Sequence, residues 1–384
     1  MNDDNGKWVT INGAHVFIKD GETPEQALAK LSEKKKPEKY YRFKSNFYWI
    51  HGEQIIPDTE LEKYKTGYYK RNYDMYGDDM FEEIDMKDGL AFVDKLDLDR
   101  PLNELRYLVA TEFASAPSGV KRFLYGVLNE KIAEHQMTLA DDVLSNVPKH
   151  KDISVEESLG EVNGDGYAYS KSIEDKQSSE YAAYTHNCQR CAQAFVLRWC
   201  HGYEVVARPS DAVWDDKRKG FVSAGQNLEL YRYARANGYD KMGTGLSSNY
   251  NHADHIIFNQ QDVKNTLMDG KDIAISQGYS SPSTEDQFRY IKKLVKSTGP
   301  GSAYICTVCW KGTRRTSGGY NAHSFCVIND GGKPKFVDPQ TGQECSKYFT
   351  EKQIVPRMTE IFRADNCRLN GTMMKEVIDY EKSI

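Results

Sequence analysis

Across residues 185–199 the chain passes from a polar run into a helix-forming one, and a cysteine stands at the change. The order is Thr185-His186-Asn187-Cys188-Gln189-Arg190-Cys191-Ala192-Gln193-Ala194-Phe195-Val196-Leu197-Arg198-Trp199. With either Asn187 or His186 as N-cap, Cys188 falls in the first helical turn. A thiol there meets the positive end of the helix dipole, which favours the thiolate. That is one way a fold makes a cysteine nucleophilic near neutral pH. Ala194, Phe195, Val196 and Leu197 are then offered for burial, and Gly202 marks the stop. Residues 203–209 read as a short strand ending at Pro209.

A nucleophilic cysteine needs a base. Far downstream, Asn321-Ala322-His323-Ser324-Phe325-Cys326-Val327-Ile328 has a strand pattern led by a histidine. Gly331 and Gly332 supply a turn, and a second strand runs through Lys335, Phe336 and Val337 to Asp338. In such a hairpin His323 opens one strand and Asp338 closes the other. Antiparallel pairing brings the two ends side by side, so a carboxylate can orient the imidazole. Cys191 lies one turn beyond Cys188 and is the alternative nucleophile.

Several short runs together resemble the papain-fold toxin family, also described as toxin glutamine deamidases of bacterial polymorphic and prophage-borne systems. They are Asn187-Cys188-Gln189-Arg190-Cys191, the run from Gly202 to Pro209, Cys309-Trp310-Lys311-Gly312, His323-Ser324-Phe325 and Asp338-Pro339-Gln340-Thr341-Gly342. Phe362-Arg363-Ala364-Asp365-Asn366 is similar to a segment that closes prophage members of the family. The resemblance spans about residues 180–370. It implies Cys188 as nucleophile, His323 as base and Asp338 as orienter. No glutamine lies a short step before Cys188 to build an oxyanion hole, and Gln177 is too far. Asn187 and Gln340 are therefore the candidates to complement the Cys188 amide.

The formal net charge of -5 argues against a nucleic-acid partner for the whole chain. No apolar run reaches membrane-spanning length, so no membrane partner is expected. The acidic start, Met1-Asn2-Asp3-Asp4, is the opposite of a secretory signal. All eight cysteines lie from Cys188 onward, and a chain of 384 residues needs no disulfide scaffold. The pairs Cys188/Cys191 and Cys306/Cys309 raise zinc. The second pair lies in a strand, where residues three apart face opposite sides and diverge. No metal or cofactor is expected, and Asn251-His252-Ala253-Asp254-His255 reads as loop histidines.

Along the chain, residues 1–39 read as a short hairpin about Asn12 and Gly13 followed by a helix, similar to a leader in phage head-associated proteins. Residues 40–150 read as a mostly helical domain of unassigned role. Its tyrosines suit helix contacts, and the last two of its helices are separate, the final one over 138–147. Residues 151–180, rich in Gly, Ser and acidic side chains, read as a linker. Residues 181–384 read as the catalytic domain. It carries helices over 228–236, 262–268 and 285–296, then a buried strand over 304–310 beside the histidine strand. The fold class is α+β: a papain-like domain, its Cys helix packed on an antiparallel sheet carrying His and Asp, after a mostly helical N-terminal region.

The expected function is cysteine-dependent acyl transfer to water. With a glutamine side chain the reaction is deamidation; with a backbone amide the same residues make a protease. A non-enzymatic phage structural or adaptor protein with an inactive papain-like fold is the third reading. The resemblance implies a protein substrate in a target cell, a cognate immunity protein, and a phage particle or delivery machinery engaged by the N-terminal region. It implies production in a bacterial cytoplasm, then phage packaging or export, and action in a target-cell cytosol.

Overall fold

A computed structural model describes residues 6–11, 14–19, 23, 26, 37–67, 69–150, 153–217, 219–222, 255–257, 283–314, 320–355, 359–365 and 369–384. The chain divides into two units, one being Met1–His135 and the other Gln136–Arg235 with Tyr239–Ile384. The helices expected over 228–236 and 262–268, and most of the one expected after the first hairpin, lie outside the described residues.

In the first unit, strands β1 (Gly6–Ile11) and β2 (Ala14–Lys19) pair antiparallel, Ile11 opposite Ala14. The tyrosine-rich stretch is mixed, not purely helical. It holds β3 (Tyr40–Phe43), β4 (Ile55–Pro57) and β5 (Phe81–Ile84) in a sheet of order β4-β3-β5. Tyr40 and Tyr41 are strand residues, as suits aromatic rings on a pleated surface. Phe43, Ile56, Met80 and Phe81 close one small core. Val93, Leu105, Val109, Leu124, Leu128 and Ile132 form another between helices. The two helices expected on either side of residue 138 are one, Ser118–Leu144, of 27 residues. Nothing in Met137-Thr138-Leu139 interrupts it, since threonine lowers helix propensity only slightly.

In the second unit the expected linker is also replaced by ordered structure. Residues 153–185 hold three short helices, Val155–Val162, Gly166–Ser172 and Ser179–Thr185. Two of the serines that look like linker composition are caps: Ser154 accepts from the Glu157 amide and Ser178 from the Tyr181 amide. Val155 and Val162 sit in the same core as the Cys188 helix. Residues 203–209 form no strand and make only single bridges, Tyr203 to Lys149 and Ala207 to Ile378. A small hairpin follows, β6 (Val213–Asp215) with β7 (Gly220–Val222).

The main sheet has six antiparallel strands: β8 (His255–Ile257), β9 (Ala303–Arg314), β10 (Tyr320–Asp330), β11 (Lys333–Asp338), β12 (Gln343–Glu344) and β13 (Glu360–Arg363). Their order is β12-β11-β10-β9-β13-β8. Both faces are covered, so its strands read as nearly continuous apolar runs. Ala303, Ile305, Cys326, Ile328 and Val337 meet Cys191, Ala192 and Phe195 of the helix Cys188–His201. The alternate residues Tyr304, Cys306, Val308, Phe325, Val327 and Phe336 meet Ile291 and Val295 of the helix Thr284–Thr298. That helix opens on a capping box, Ser283 with Asp286. The segment around Arg363 also has a place: β13 pairs with β9, and Asp365 accepts from the Ala303 amide at 2.9 Å while holding Arg363 at 3.0 Å.

Candidate active site

Cys188 is the first residue of its helix, and Asn187 is the N-cap. The far end is closed by Gly202 at φ 78°, where a Cβ would run into the His150 carbonyl. Two arginines on this helix are almost fully buried and both are paired. Arg190 meets Asp211 at 2.9 Å and the Pro209 carbonyl; Arg198 meets Glu161 and the Val205 carbonyl. Cys188 is partly exposed, whereas Cys191 is fully buried beneath it. Burial first, and nearby negative charge second, push the Cys191 thiol well above its ordinary range.

The histidine and aspartate come together through the hairpin, but not as directly opposed residues. Asp330 pairs with Lys333 across Gly331 and Gly332, whose φ values of 56° and 91° suit the tight turn. Continuing that register sets Asp338 opposite Phe325. His323 is therefore the diagonal neighbour, on the same side of the sheet and within side-chain reach. Its Nε2 lies 2.8 Å from Asp338 Oδ2. Just before His323 the pairing of β10 with β9 shifts register, between Tyr320 and Ala322, an irregularity that re-aims a side chain next to it.

Cys188 interacts with His323 electrostatically and helps raise its pKa. With Nε2 committed to Asp338, the nitrogen left for sulfur is Nδ1. Burial alone pulls the imidazole pKa down; the charge and hydrogen bond of Asp338, then the interaction with Cys188, outweigh it and push the pKa up to about 10. Asp338 is completely buried. Its desolvation opposes ionisation, but His323, the Tyr348 hydroxyl and the Gln340 amide hold its pKa below the ordinary value. Trp310 lies flat against the imidazole, 5.4 Å between ring centroids at 24°.

The two oxyanion candidates have other commitments. Gln340 Nε2 donates to Asn187 Oδ1 at 2.9 Å, and Asn187 Nδ2 donates to Asn163 Oδ1 at 2.8 Å. Asn163 in turn donates to the Gln340 carbonyl at 2.9 Å. These buried amides tie the start of the Cys188 helix to the loop after Asp338. Asn187 makes no side-chain cap, so the first-turn amides, Cys188 among them, are left to other acceptors.

Among the described residues, no group of three or more His, Cys, Asp or Glu is placed to hold a metal ion. In the cluster of residues 251–255, only His255 is described. It lies in β8 opposite Phe362; the other four lie outside the described residues.

Against known proteins, the relevant stretch opens just before Cys188 and closes just after Asp338. Residues 186–343 match the family model described as papain fold toxin 1, glutamine deamidase. No curated protein and no solved structure matches the chain. The matched segment is thus similar to a toxin family described as papain-fold glutamine deamidases, and it lies in a unit that mixes helices with antiparallel sheet.

Four residues near this site had no role in the sequence reading. Tyr348 bonds Asp338, Trp310 stacks on His323, and Asn163 joins the amide chain. Tyr167 has its hydroxyl held above the ordinary range by burial and by the charge of Asp338. Asn163 and Tyr167 stand in the supposed linker, and Tyr348 lies beyond the matched stretch. The one available signal was Trp310, inside a run already singled out as family-like.

Proposed function

We propose that the second unit is a cysteine hydrolase that deamidates glutamine side chains of a protein target. The observation that carries this reading is the imidazole of His323, hydrogen-bonded to Asp338 and interacting electrostatically with Cys188 at the start of its helix. The match to a glutamine deamidase toxin family supports the choice of carboxamide over peptide bond.

In this reading Cys188 sulfur attacks the carboxamide carbon and its C=O electrons move to oxygen. First-turn amides of the helix face the oxyanion. His323 gives its proton to the departing nitrogen, and ammonia leaves a thioester. Water then attacks the thioester carbon, His323 takes the water's proton, and the C–S bond breaks to give glutamate and the thiolate. Asp338 keeps the ring aimed and its positive form stabilised. The protein would act as a toxin in a target-cell cytosol, with an immunity protein in the producer and the first unit serving delivery.

The test is expression in a bacterial cytosol of the wild type beside Cys188→Ala, with mass spectrometry of the host proteins. Glutamine-to-glutamate conversion at defined sites, and growth arrest, should accompany the wild type alone. New cleaved termini without deamidation would make the enzyme a protease. Identical host proteins and identical growth in both cultures would remove the catalytic reading.

A further inference from the structure

The Asp338 carboxylate holds three hydrogen bonds, and only two come from groups the mechanism uses or the adjacent loop supplies. His323 Nε2 is 2.8 Å from Oδ2, and the Gln340 amide donates to Oδ1 at 3.1 Å. The third donor is the hydroxyl of Tyr348, 2.6 Å from the same Oδ2 that faces the imidazole. Tyr348 lies past the end of the family-matched residues 186–343. Resting on the catalytic reading above, we propose that Tyr348 is a positioning residue for the His323–Asp338 pair: its hydroxyl fixes which carboxylate oxygen faces the ring and takes a share of that oxygen's charge.

The backbone holds Tyr348 in register with the aspartate. It sits in a short helix, Lys347–Thr350, and its amide donates to the Cys345 carbonyl at 3.0 Å. The Cys345 amide donates to the Phe336 carbonyl at 3.0 Å, so Tyr348 hangs from the strand that ends in Asp338. Its ring stands edge-on to Trp310 at 4.7 Å and 88°, and to His323 at 5.8 Å and 81°. These contacts fix the ring independently of the hydroxyl. Asp338 is completely buried, so a lost donor is not readily replaced by solvent.

Two donors on one oxygen compete for its charge. A neutral phenol there lowers the proton affinity of the carboxylate and so moderates its hold on the imidazolium proton. That matters because His323 must surrender this proton to the leaving group. The other titratable side chains whose charge interactions involve Asp338 are Tyr167, Cys191, Cys326 and Cys345. Burial first, then Asp338 among other charges, holds all four above their ordinary ranges, as it does Tyr348 itself.

The experiment follows alkylation of Cys188 by iodoacetate in the full chain, read by mass spectrometry of its peptide across pH. The anionic probe reacts best with a thiolate beside an imidazolium, so the wild type should give a bell. Tyr348→Phe keeps the ring and removes only the donor. It should move the alkaline limb upward by about half a pH unit or more, with unchanged thermal unfolding. In an Asp338→Asn background the same substitution should move nothing further. An unmoved limb, a limb moved downward, or an equal shift without the Asp338 charge would overturn the role of Tyr348 while the triad stands. A wild type with no bell at all would instead remove the triad reading, and this inference with it.

Discussion

The two units differ in what they bury. Among the described residues of the first unit, Asn129 is the one buried polar side chain, and the interior is otherwise Leu, Val, Ile, Met, Phe and Ala133. The second unit buries Asn163, Asn187, Arg190, Gln193, Arg198, His323, Asn329, Asp338, Gln340 and Asp365, among others. Each such group costs free energy unless a partner meets it. Their concentration around the Cys188 helix and the ends of β10 and β11 means that this unit's sequence serves geometry at a site as well as stability.

The comparison breaks first if the second unit does not need its own early residues. Ala140, Leu144, Val147, Val155 and Val162 sit in the core with the Cys188 helix, and Asn163 bonds Asn187. A chain beginning at Gln136 should therefore unfold cooperatively on heating. One beginning at Gln177 should be insoluble or lack a transition by calorimetry. A cooperative transition in the shorter chain would return residues 153–176 to the status of a linker.

A smaller effect tests the buried charge pair. The His323 pKa is raised to about 10 in the folded protein, against about 6.5 in an unfolded chain. The stabilisation this gives is fully present below the unfolded value and is lost as pH rises through the folded one. Melting temperature should accordingly fall from about pH 7 to about pH 10. Asp338→Asn keeps an acceptor and should retain partial activity. It should flatten that fall and move the alkaline limb of the pH–rate profile downward, because the imidazolium has lost its anion. An unchanged profile would assign the orienting role elsewhere.

The smallest effect separates the two neighbouring thiols. Cys191→Ala removes a buried sulfur and should cost about 1–2 kcal/mol of stability by denaturant titration. Activity should persist, since Cys191 is fully buried. Loss of activity with stability intact would move the nucleophile three residues along.

How much of this was readable depends on range. Cys188, His323 and Asp338 could be picked out because each stands in a local pattern, a helix start, a strand led by a histidine and a strand end, although β10 in fact begins three residues earlier, at Tyr320. The diagonal relation of His323 to Asp338 could not be, because it depends on the register that Gly331 and Gly332 impose. The helices within residues 153–185 were hidden because short capped helices and linkers share a composition of Ser, Gly and acid. Tyr348 and Asn163 were hidden because nothing local marks them; their meaning comes entirely from distant partners. Gln340 and Asn187 were recognised as polar groups near the site, but their bonds to one another could not be read from spacing.

Selective alkylation of the intact protein by iodoacetamide at neutral pH tests the central claim most directly, with each cysteine peptide quantified by mass spectrometry. Cys188 should react far faster than Cys191, Cys306, Cys326 or Cys345, and His323→Ala should slow it by about tenfold or more. A Cys188 that reacts no faster than an ordinary thiol, or equally fast without His323, would contradict a nucleophile held and activated by that imidazole.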